Sequence, residues 1–201
     1  SNITLDGNKY HDNLNYAIDP HTKTHDITIR NNEVYNNAGF GIICSEDCYN
    51  ILIEGNIVHD NPLGSITLSK HVHDSIVRNN LVYNSDKGIN FNASPDNTIY
   101  NNTIRNVRLG FYLTRPADGS IAPTSGNRIY NNTIENTTIG AASNLDVHNN
   151  MFSNNSFVNS KSVDMYIQGD SNAIMENQYF NKYNMSGHIG KITIQKSGII
   201  E

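Results

Sequence analysis

The strongest constraint on this chain is a repeat in which each of eight copies is built around an asparagine. The asparagines that mark the copies are Asn8, Asn32, Asn56, Asn80, Asn102, Asn132, Asn150 and Asn177. The first four are 24 residues apart, and the surrounding text recurs, as in "ITIRNNEVYNN" and "SIVRNNLVYNS". A fixed period in the twenties is typical of a solenoid, in which each coil buries its apolar side by stacking on its neighbours.

Apolar residues alternate within each copy, which is the period of a β-strand. Three columns can be followed from copy to copy: one through Ile27–Ile29, Ile51–Ile53 and Ile76–Val77, one through Val34, Val58, Val82, Ile104 and Ile134, and one through Ile18, Ile42, Ile66, Ile89 and Phe111. Three short strands per copy predict an all-β chain, a single-stranded right-handed parallel β-helix of about eight coils. Leucine-rich repeats have a similar length, but their leucine frame is absent.

The recurring asparagine has a structural explanation. It is expected at the bend between two strands, where left-handed backbone geometry is often needed and asparagine tolerates it. Successive side chains stacked about 4.8 Å apart could also hydrogen-bond into a ladder. These asparagines are therefore interpreted as structural rather than catalytic.

The organisation of the chain is predicted as one domain over residues 1–201. The coil between Asn102 and Asn132 is long, and its excess at 114–126, rich in Pro, Gly and Ser, predicts a projecting loop. Residues 186–201 could form a C-terminal cap. Because the chain opens inside a repeat, we expect it to be a piece of a longer protein; its oligomeric state is open.

Charge and composition exclude several classes of function. The net charge is −5 and basic residues are scattered, which disfavours a nucleic-acid partner. No run approaches the roughly 18 apolar residues of a membrane span, and no signal-like start is visible. Cys44 and Cys48 lack a second pair, so free structural thiols are favoured over a disulfide or a metal site.

The outward positions of the third column form a mainly polar strip along the helix axis. Its two rows are Asp19, Ile43, Thr67, Asn90, Tyr112 and His21, Ser45, Ser69, Asn92, Thr114, whereas Pro20, Cys44, Leu68, Phe91 and Leu113 should point inward. Such a strip suits a long sugar chain. The projecting loop, which includes Arg115, would border the strip on one side. The alternative is an ordinary solvated sheet face.

One coil breaks the repeat with "Tyr16-Ala-Ile-Asp19-Pro20-His21". A proline inside a strand removes a donor of the ladder and is normally excluded. Asp19 and His21 would lie roughly 7 Å apart on one strand face, a spacing that suits shared acid–base work. Tyr16 is expected a little further along the same strand. Taken alone, the motif could equally be a turn.

This motif resembles the Tyr-x-x-Asp-Pro-His signature of mannuronan (alginate) C5-epimerases, and "Gly41-Ile-Ile-Cys-Ser45" and the segment 59–68 resemble the same family. The resemblance covers about residues 3–115. It implies a β-helix that inverts C5 of mannuronate within an anionic polysaccharide, outside the cell or at its surface. No cofactor is implied, and nothing in the sequence supports a calcium site.

The resemblance carries Tyr16, Asp19 and His21 into a catalytic centre. Removal of H5 requires a base, an acid on the opposite face and a group that offsets the neighbouring carboxylate charge. His21 is the candidate base and Tyr16 the candidate proton donor, although the two could be reversed. Asp19 could orient a neighbour or raise its basicity. The substrate-binding candidates are Lys23, Thr67, Lys70, His71, Asn90, Tyr112 and Arg115.

The chain also departs from that family. Phe40, Glu46, Pro62 and Leu63 stand where the family places histidine or basic residues, which predicts a weak epimerase at best. A polyuronate lyase shares the proton abstraction and is a second enzymatic interpretation. A non-catalytic carbohydrate-binding or surface β-helix that keeps a degenerate motif is a third.

Overall fold

The computed structural model describes residues 2–115, 123–144 and 147–167, and the backbone of 174–176. All regular structure in these residues is β-strand. The strands are β1 (Ile3–Asp6), β2 (Lys9–His11), β3 (His25–Arg30), β4 (Glu33–Tyr35), β5 (Phe40–Ser45), β6 (Tyr49–Glu54), β7 (Ile57–His59), β8 (Gly64–Ser69), β9 (Ile76–Arg78), β10 (Leu81–Tyr83), β11 (Lys87–Asn92), β12 (Thr98–Tyr100), β13 (Thr103–Arg105), β14 (Leu109–Thr114), β15 (Thr124–Ser125), β16 (Arg128–Tyr130), β17 (Thr133–Glu135), β18 (Ile139–Ser143), β19 (Val147–His148), β20 (Met151–Ser153), β21 (Ser156–Val158), β22 (Val163–Ile167) and β23 (Ile174–Glu176).

The strands stack into three long parallel sheets. The first holds β1, β3, β6, β9, β12, β16, β20 and β23, the second β2, β4, β7, β10, β13, β17 and β21, and the third β5, β8, β11, β14, β18 and β22. β15 and β19 form a small two-stranded sheet. The predicted parallel β-helix is confirmed. Six coils give a strand to all three long sheets, and partial coils at both ends bring the total near the eight predicted.

The predicted apolar columns form the core. Val34 pairs with Val58, which pairs with Val82, and all three side chains are fully buried. The third column runs in register from Ile18 through Ile42 and Ile66 to Ile89 and Phe111. Burying each such side chain stabilises the fold by about 1.5–3 kcal/mol. Residues that are one repeat apart in the sequence therefore pair with each other in the sheets.

The asparagine ladder is confirmed at the corner between the first and second sheets. The backbone N–H and the Nδ2 of Asn56 both donate to Asn80 Oδ1, at 2.9 and 3.0 Å, and Asn56 Nδ2 also donates to the carbonyl of Ile29. The ladder runs without a break through Asn8, Asn32, Asn56, Asn80, Asn102, Asn132 and Asn155. Each buried side-chain amide thus provides hydrogen-bond partners for backbone N–H and C=O groups at a corner that water cannot reach.

Two details of the asparagine prediction are wrong. Asn150 does not follow Asn132; it receives the backbone N–H of Asn127 in a separate ladder at the corner between the third and first sheets. The left-handed residue is also not the ladder asparagine but the residue before it, as in Asn79, where φ is 57°. The turn needs its left-handed conformation one residue before the amide that enters the core. Asn177 lies outside the described residues.

A further ladder links Asn13, Asn37, Asn61 and Ser85 at the corner between the second and third sheets. All three corners of the solenoid are therefore stabilised by side-chain ladders, of which sequence analysis found one. Both cysteines are free and buried in the core, as favoured from the sequence.

The long coil is confirmed, because the ladder step from Asn102 to Asn132 spans 30 residues where the preceding step spans 22. The predicted loop at 114–126 begins on the last residue of β14 and includes the short strand β15. Its residues 116–122 lie outside the described part, as does the predicted cap at 186–201. The described part of the chain contains no helix long and apolar enough to cross a membrane.

Candidate functional site

The outer face of the third sheet carries the polar rows expected from the sequence. We call the outer strip the residues Ile43, Thr67, Asn90, Tyr112, Ser45, Ser69, Asn92 and Thr114, which pair in register across β5, β8, β11 and β14. The alternating residues Cys44, Leu68, Phe91 and Leu113 are fully buried in the core. The inward and outward assignments made from the sequence are therefore confirmed.

The outer strip is not an ordinary solvated face. Thr67 is 2% exposed and Asn90 is 7% exposed, although both lie on the side of the sheet away from the core. Thr67 Oγ1, Asn90 Oδ1 and Asn92 Oδ1 are buried and have no hydrogen-bond partner among the described residues. An unsatisfied buried polar group costs about 1–3 kcal/mol, so these three atoms lower stability without serving the fold.

Asp19 and His21 lie at one end of this surface, in the first coil. Their side chains are exposed and Pro20 between them is buried, as the predicted alternation requires. Residues 16–21 form no continuous strand; the segment joins β5 through isolated bridges from Ile18 to Ile42 and from His21 to Ser45. Pro20 cannot donate to the ladder and is tolerated because the segment lies at the edge of the third sheet.

The Asp19 carboxyl is partly shielded. Its Oδ1 accepts a hydrogen bond from Ser45 Oγ at 3.4 Å. Partial burial raises the pKa of Asp19 above its usual value, and the neighbouring His21 and Ser45 offset part of that rise. Asp19 therefore keeps its proton to a higher pH than an exposed aspartate, and in that form it can donate a hydrogen bond.

His21 contacts a polar chain that crosses to the next coils. Its Nδ1 lies 2.6 Å from Thr22 Oγ1 and 3.6 Å from Glu46 Oε2. Thr22 Oγ1 donates to Glu46 Oε2 at 3.0 Å, and Lys70 Nζ donates to Glu46 Oε1 at 3.1 Å. The hydrogen bond from Lys70, followed by that from Thr22, lowers the pKa of Glu46. Glu46 is thus an anion that offsets the charge of Lys70.

Tyr16 lies beside the strip rather than on a strand. Its ring centroid is 5.7 Å from that of Phe40, and its side chain packs over Gly39. The sequence interpretation placed Tyr16 further along the same strand as Asp19. The structure instead puts it at the corner before the strip, because the chain bends over residues 14–17.

The remaining candidates lie beyond the strand ends, at the rim next to His21. The backbone N–H of Lys23 donates to the Glu46 carbonyl at 2.7 Å, and His71 Nδ1 lies 2.8 Å from Asp47 Oδ1. Arg115 is exposed and directly follows β14. The structure thus brings Thr67, Asn90 and Tyr112 into the strip and leaves Lys23, Lys70, His71 and Arg115 at its border.

The opposite rim carries cations that are also paired. Arg108 Nε donates to Asp86 Oδ1 at 2.6 Å, and Lys87 Nζ donates to Asp86 Oδ2 at 2.9 Å. Sequence analysis did not identify Asp86, nor did it pair Glu46 with Thr22. The 24-residue register could have found the latter contact, since it places Glu46 one coil from Thr22.

The described residues do not offer an evident metal site. No group of three or more His, Cys, Asp and Glu side chains in the described part is arranged to hold a metal ion. Burial raises the pKa of the Cys44 thiol well above its usual value, which disfavours the thiolate that a soft metal would need.

Comparison with known proteins gives one family match. A family model described as "Periplasmic copper-binding protein (NosD)" matches residues 1–145. No curated protein matches the sequence. The description of that family names copper, but the described residues of this chain include no cluster of side chains that would bind it.

Solved structures of parallel β-helix enzymes resemble the fold. The A-module of the mannuronan C-5 epimerase AlgE6 from Azotobacter vinelandii gives a TM-score of 0.68 at 21% identity, over 98% of this chain and 53% of that one. The periplasmic alginate epimerase AlgG gives 0.66 at 22% identity, over 96% of this chain and 45% of that one. An exopolygalacturonase from Thermotoga maritima gives 0.61 at 16% identity, over 96% and 52%.

The chain therefore spans about half the length of these structures. At such identities the likeness shows the shared fold alone.

Proposed function

The chain belongs to the family described as periplasmic copper-binding protein (NosD), and we propose that it is a polysaccharide-binding β-helix with weak C5-epimerase chemistry on a polyuronate. One observation carries the proposal: exposed Asp19 and His21 stand at the end of a sheltered strip in which Thr67 and Asn90 have unfilled hydrogen-bonding capacity. Rotation of these side chains would bring the two buried atoms to the hydroxyl groups of a sugar chain bound along the strip, which would supply the missing partners.

The chemistry assigns one task to each residue of the motif. H5 of a uronate is weakly acidic because the adjacent carboxylate opposes the charge that develops when it leaves. Partial burial raises the pKa of Asp19, and in its protonated form Asp19 donates a hydrogen bond to that carboxylate, which lowers the barrier. His21 removes the proton, and Tyr16 returns one from the other face.

The activity is proposed to be weak because three cations near the site are already engaged. Lys70 is paired with Glu46, and Arg108 and Lys87 are paired with Asp86. Loss of one stabilising donor at a site where charge develops can cost about 10²–10³ in rate. Glycan binding requires only the polar strip and should be retained better than turnover.

The compartment and extent of the protein are also proposals. The matched family and the AlgG epimerase are both described as periplasmic, which supports an extracytoplasmic location for this chain. Residues 1–201 would form one β-helical domain, and the proposed ligand is an anionic polysaccharide.

The test is proton NMR of polymannuronate incubated with the protein. Guluronate signals are expected for an epimerase, whereas unsaturated chain ends would identify a lyase. His21→Ala should reduce turnover by about 10²-fold or more and leave the fold intact. His11→Ala is the matched control, because His11 is another exposed histidine but stacks on Tyr35 outside the outer strip. Equal activity of the two variants would remove His21 from the mechanism.

A non-catalytic glycan-binding protein is the second candidate. The Glu46 carboxylate 3.6 Å from His21 Nδ1 favours it, because a fixed anion there opposes the further negative charge that develops beside the uronate carboxylate when H5 leaves. In that case neither guluronate nor unsaturated ends appear, and polymannuronate still retards the protein in affinity electrophoresis. Thr67→Val and Asn90→Leu should then weaken retardation. Undiminished retardation in both variants would exclude the outer strip as the binding surface.

A further inference from the structure

We infer that Thr22 and Glu46 form a relay that fixes the tautomer of His21, with the proton on Nδ1 and the lone pair on Nε2. This inference deepens the proposed function: the chemical role of Nε2 rests on that proposal, while the tautomer itself does not. Thr22 and Glu46 are positioning residues in this arrangement, since they act on substrate only through His21.

The order of donors follows from the chemistry of each group. An ionised carboxylate only accepts, so the contact of 3.0 Å between Thr22 Oγ1 and Glu46 Oε2 uses the single hydroxyl proton of Thr22. The contact of 2.6 Å between His21 Nδ1 and Thr22 Oγ1 must then use a proton of the imidazole. In the neutral ring that proton occupies Nδ1, which leaves Nε2 as the acceptor.

Lys70 keeps the relay in place. Its Nζ donates to Glu46 Oε1 while Oε2 receives Thr22, so the two carboxylate oxygens are held by different coils. Asp19 and Glu46 are the titratable groups that interact with His21. Of the two, only Glu46 reaches the Nδ1 side, through the hydroxyl of Thr22.

The backbone at Thr22 supports a functional role for this contact. Thr22 has φ of 45°, in the left-handed region that β-branched residues rarely adopt. The same corner position in the next three coils holds Glu46, Lys70 and Ala93, none of which is β-branched. Strain of this kind costs about 1–3 kcal/mol and clusters at functional sites. Only in the first coil does the side chain at this corner contact a candidate base.

The consequence for the reaction is a defined path for the proton. Nε2 accepts H5 from the sugar, and the electron pair of the C–H bond passes to the carbon and its carboxylate. The imidazolium that forms keeps its Nδ1–H on Thr22, and the Glu46 carboxylate 3.6 Å away offsets its charge. Tyr16 then protonates the carbon from the other face.

The test is long-range ¹H–¹⁵N correlation NMR of the histidine rings in the free protein, at a pH where the rings are neutral. The His21 signals are assigned by their loss in His21→Gln. We expect the Nδ1–H pattern, whereas a neutral histidine in water favours Nε2–H. His11, His25, His59 and His73 are internal references, because each places Nδ1 2.6–2.8 Å from the carboxylate of the following aspartate.

Thr22→Val is the decisive variant, since valine keeps the shape and the branching at Cβ but removes the hydroxyl. We expect His21 to shift towards Nε2–H in Thr22→Val and in Glu46→Gln, with the reference histidines unchanged as evidence of an intact fold. An Nε2–H pattern in the unaltered protein overturns the relay, and so does an unchanged pattern in both variants.

No substrate is needed for this measurement, so failure of the relay and failure of the proposed epimerase activity are distinguishable. The Nδ1–H pattern in a protein that never converts polymannuronate would keep the relay and reject the epimerase. For an active protein, Thr22→Val should lower kcat more than it changes KM, and should slow the exchange of H5 for solvent deuterium.

Discussion

Replacing one ladder asparagine should destabilise the whole solenoid. Asn80 is 2% exposed and its amide makes four hydrogen bonds. Its Oδ1 accepts from the backbone N–H and the Nδ2 of Asn56, and its Nδ2 donates to the Ile53 carbonyl and to Asn102 Oδ1. In Asn80→Ala the N–H of Asn56 loses its partner inside the core.

The expected cost follows from these four bonds. The orphaned N–H should cost about 1–3 kcal/mol and each of the other three bonds about 0.5–1.5 kcal/mol net, so we expect a loss of about 2.5–7.5 kcal/mol. Asn79→Gly is the matched control one residue earlier. Asn79 is exposed with φ of 57°, and Gly55 occupies the equivalent position of the preceding coil. Glycine adopts this conformation freely, so the control should change stability by less than about 1 kcal/mol.

The assay is urea unfolding followed by circular dichroism at 25 °C for the unaltered protein and both variants. A change below about 1 kcal/mol in Asn80→Ala would refute the view that the ladder satisfies the corner backbone. So would a control that costs as much as the alanine variant.

Three further predictions concern the core and the charges. Ile66→Ala should cost about 2–5 kcal/mol in the same assay, because Ile66 is fully buried; an unchanged midpoint would contradict its place in the core. Gly110→Ala should destabilise by about 1–3 kcal/mol or more, since a Cβ there would lie 2.2 Å from the Gly140 carbonyl oxygen; thermal unfolding at the unaltered temperature would count against this close packing. The hydrogen bond from Arg108 lowers the pKa of Asp86 in the folded protein. The ionised Asp86 carboxylate therefore stabilises the fold above the pKa of an unfolded aspartate, about 3.9, and this stabilisation is lost as the pH falls through the lower pKa of the folded state. Asp86→Asn should therefore flatten the decline of stability in acid, and an unchanged pH profile would rule out that contribution.

Much of the fold can be predicted from the sequence, because in a solenoid residues that are one repeat apart along the chain become neighbours in adjacent coils. Val34, Val58 and Val82 could be assigned to one buried column from spacing alone, since parallel strands in register place equivalent residues of successive coils side by side. The outward positions of Thr67 and Asn90 followed from the same alternation. Asp19 and His21 could be placed on one exposed face for the same reason.

The tertiary structure decided what periodicity leaves open. Asn150 and Asn155 both fit the repeat, and only hydrogen bonding across coils shows that Asn155 continues the ladder from Asn132. Alternation places Thr67 on the outer face but does not show that it is only 2% exposed there. The chain from His21 through Thr22 to Glu46 depends on where side chains of adjacent coils meet at one corner. Such contacts are set by the geometry of the turn rather than by spacing, so they appear only once the coils are stacked.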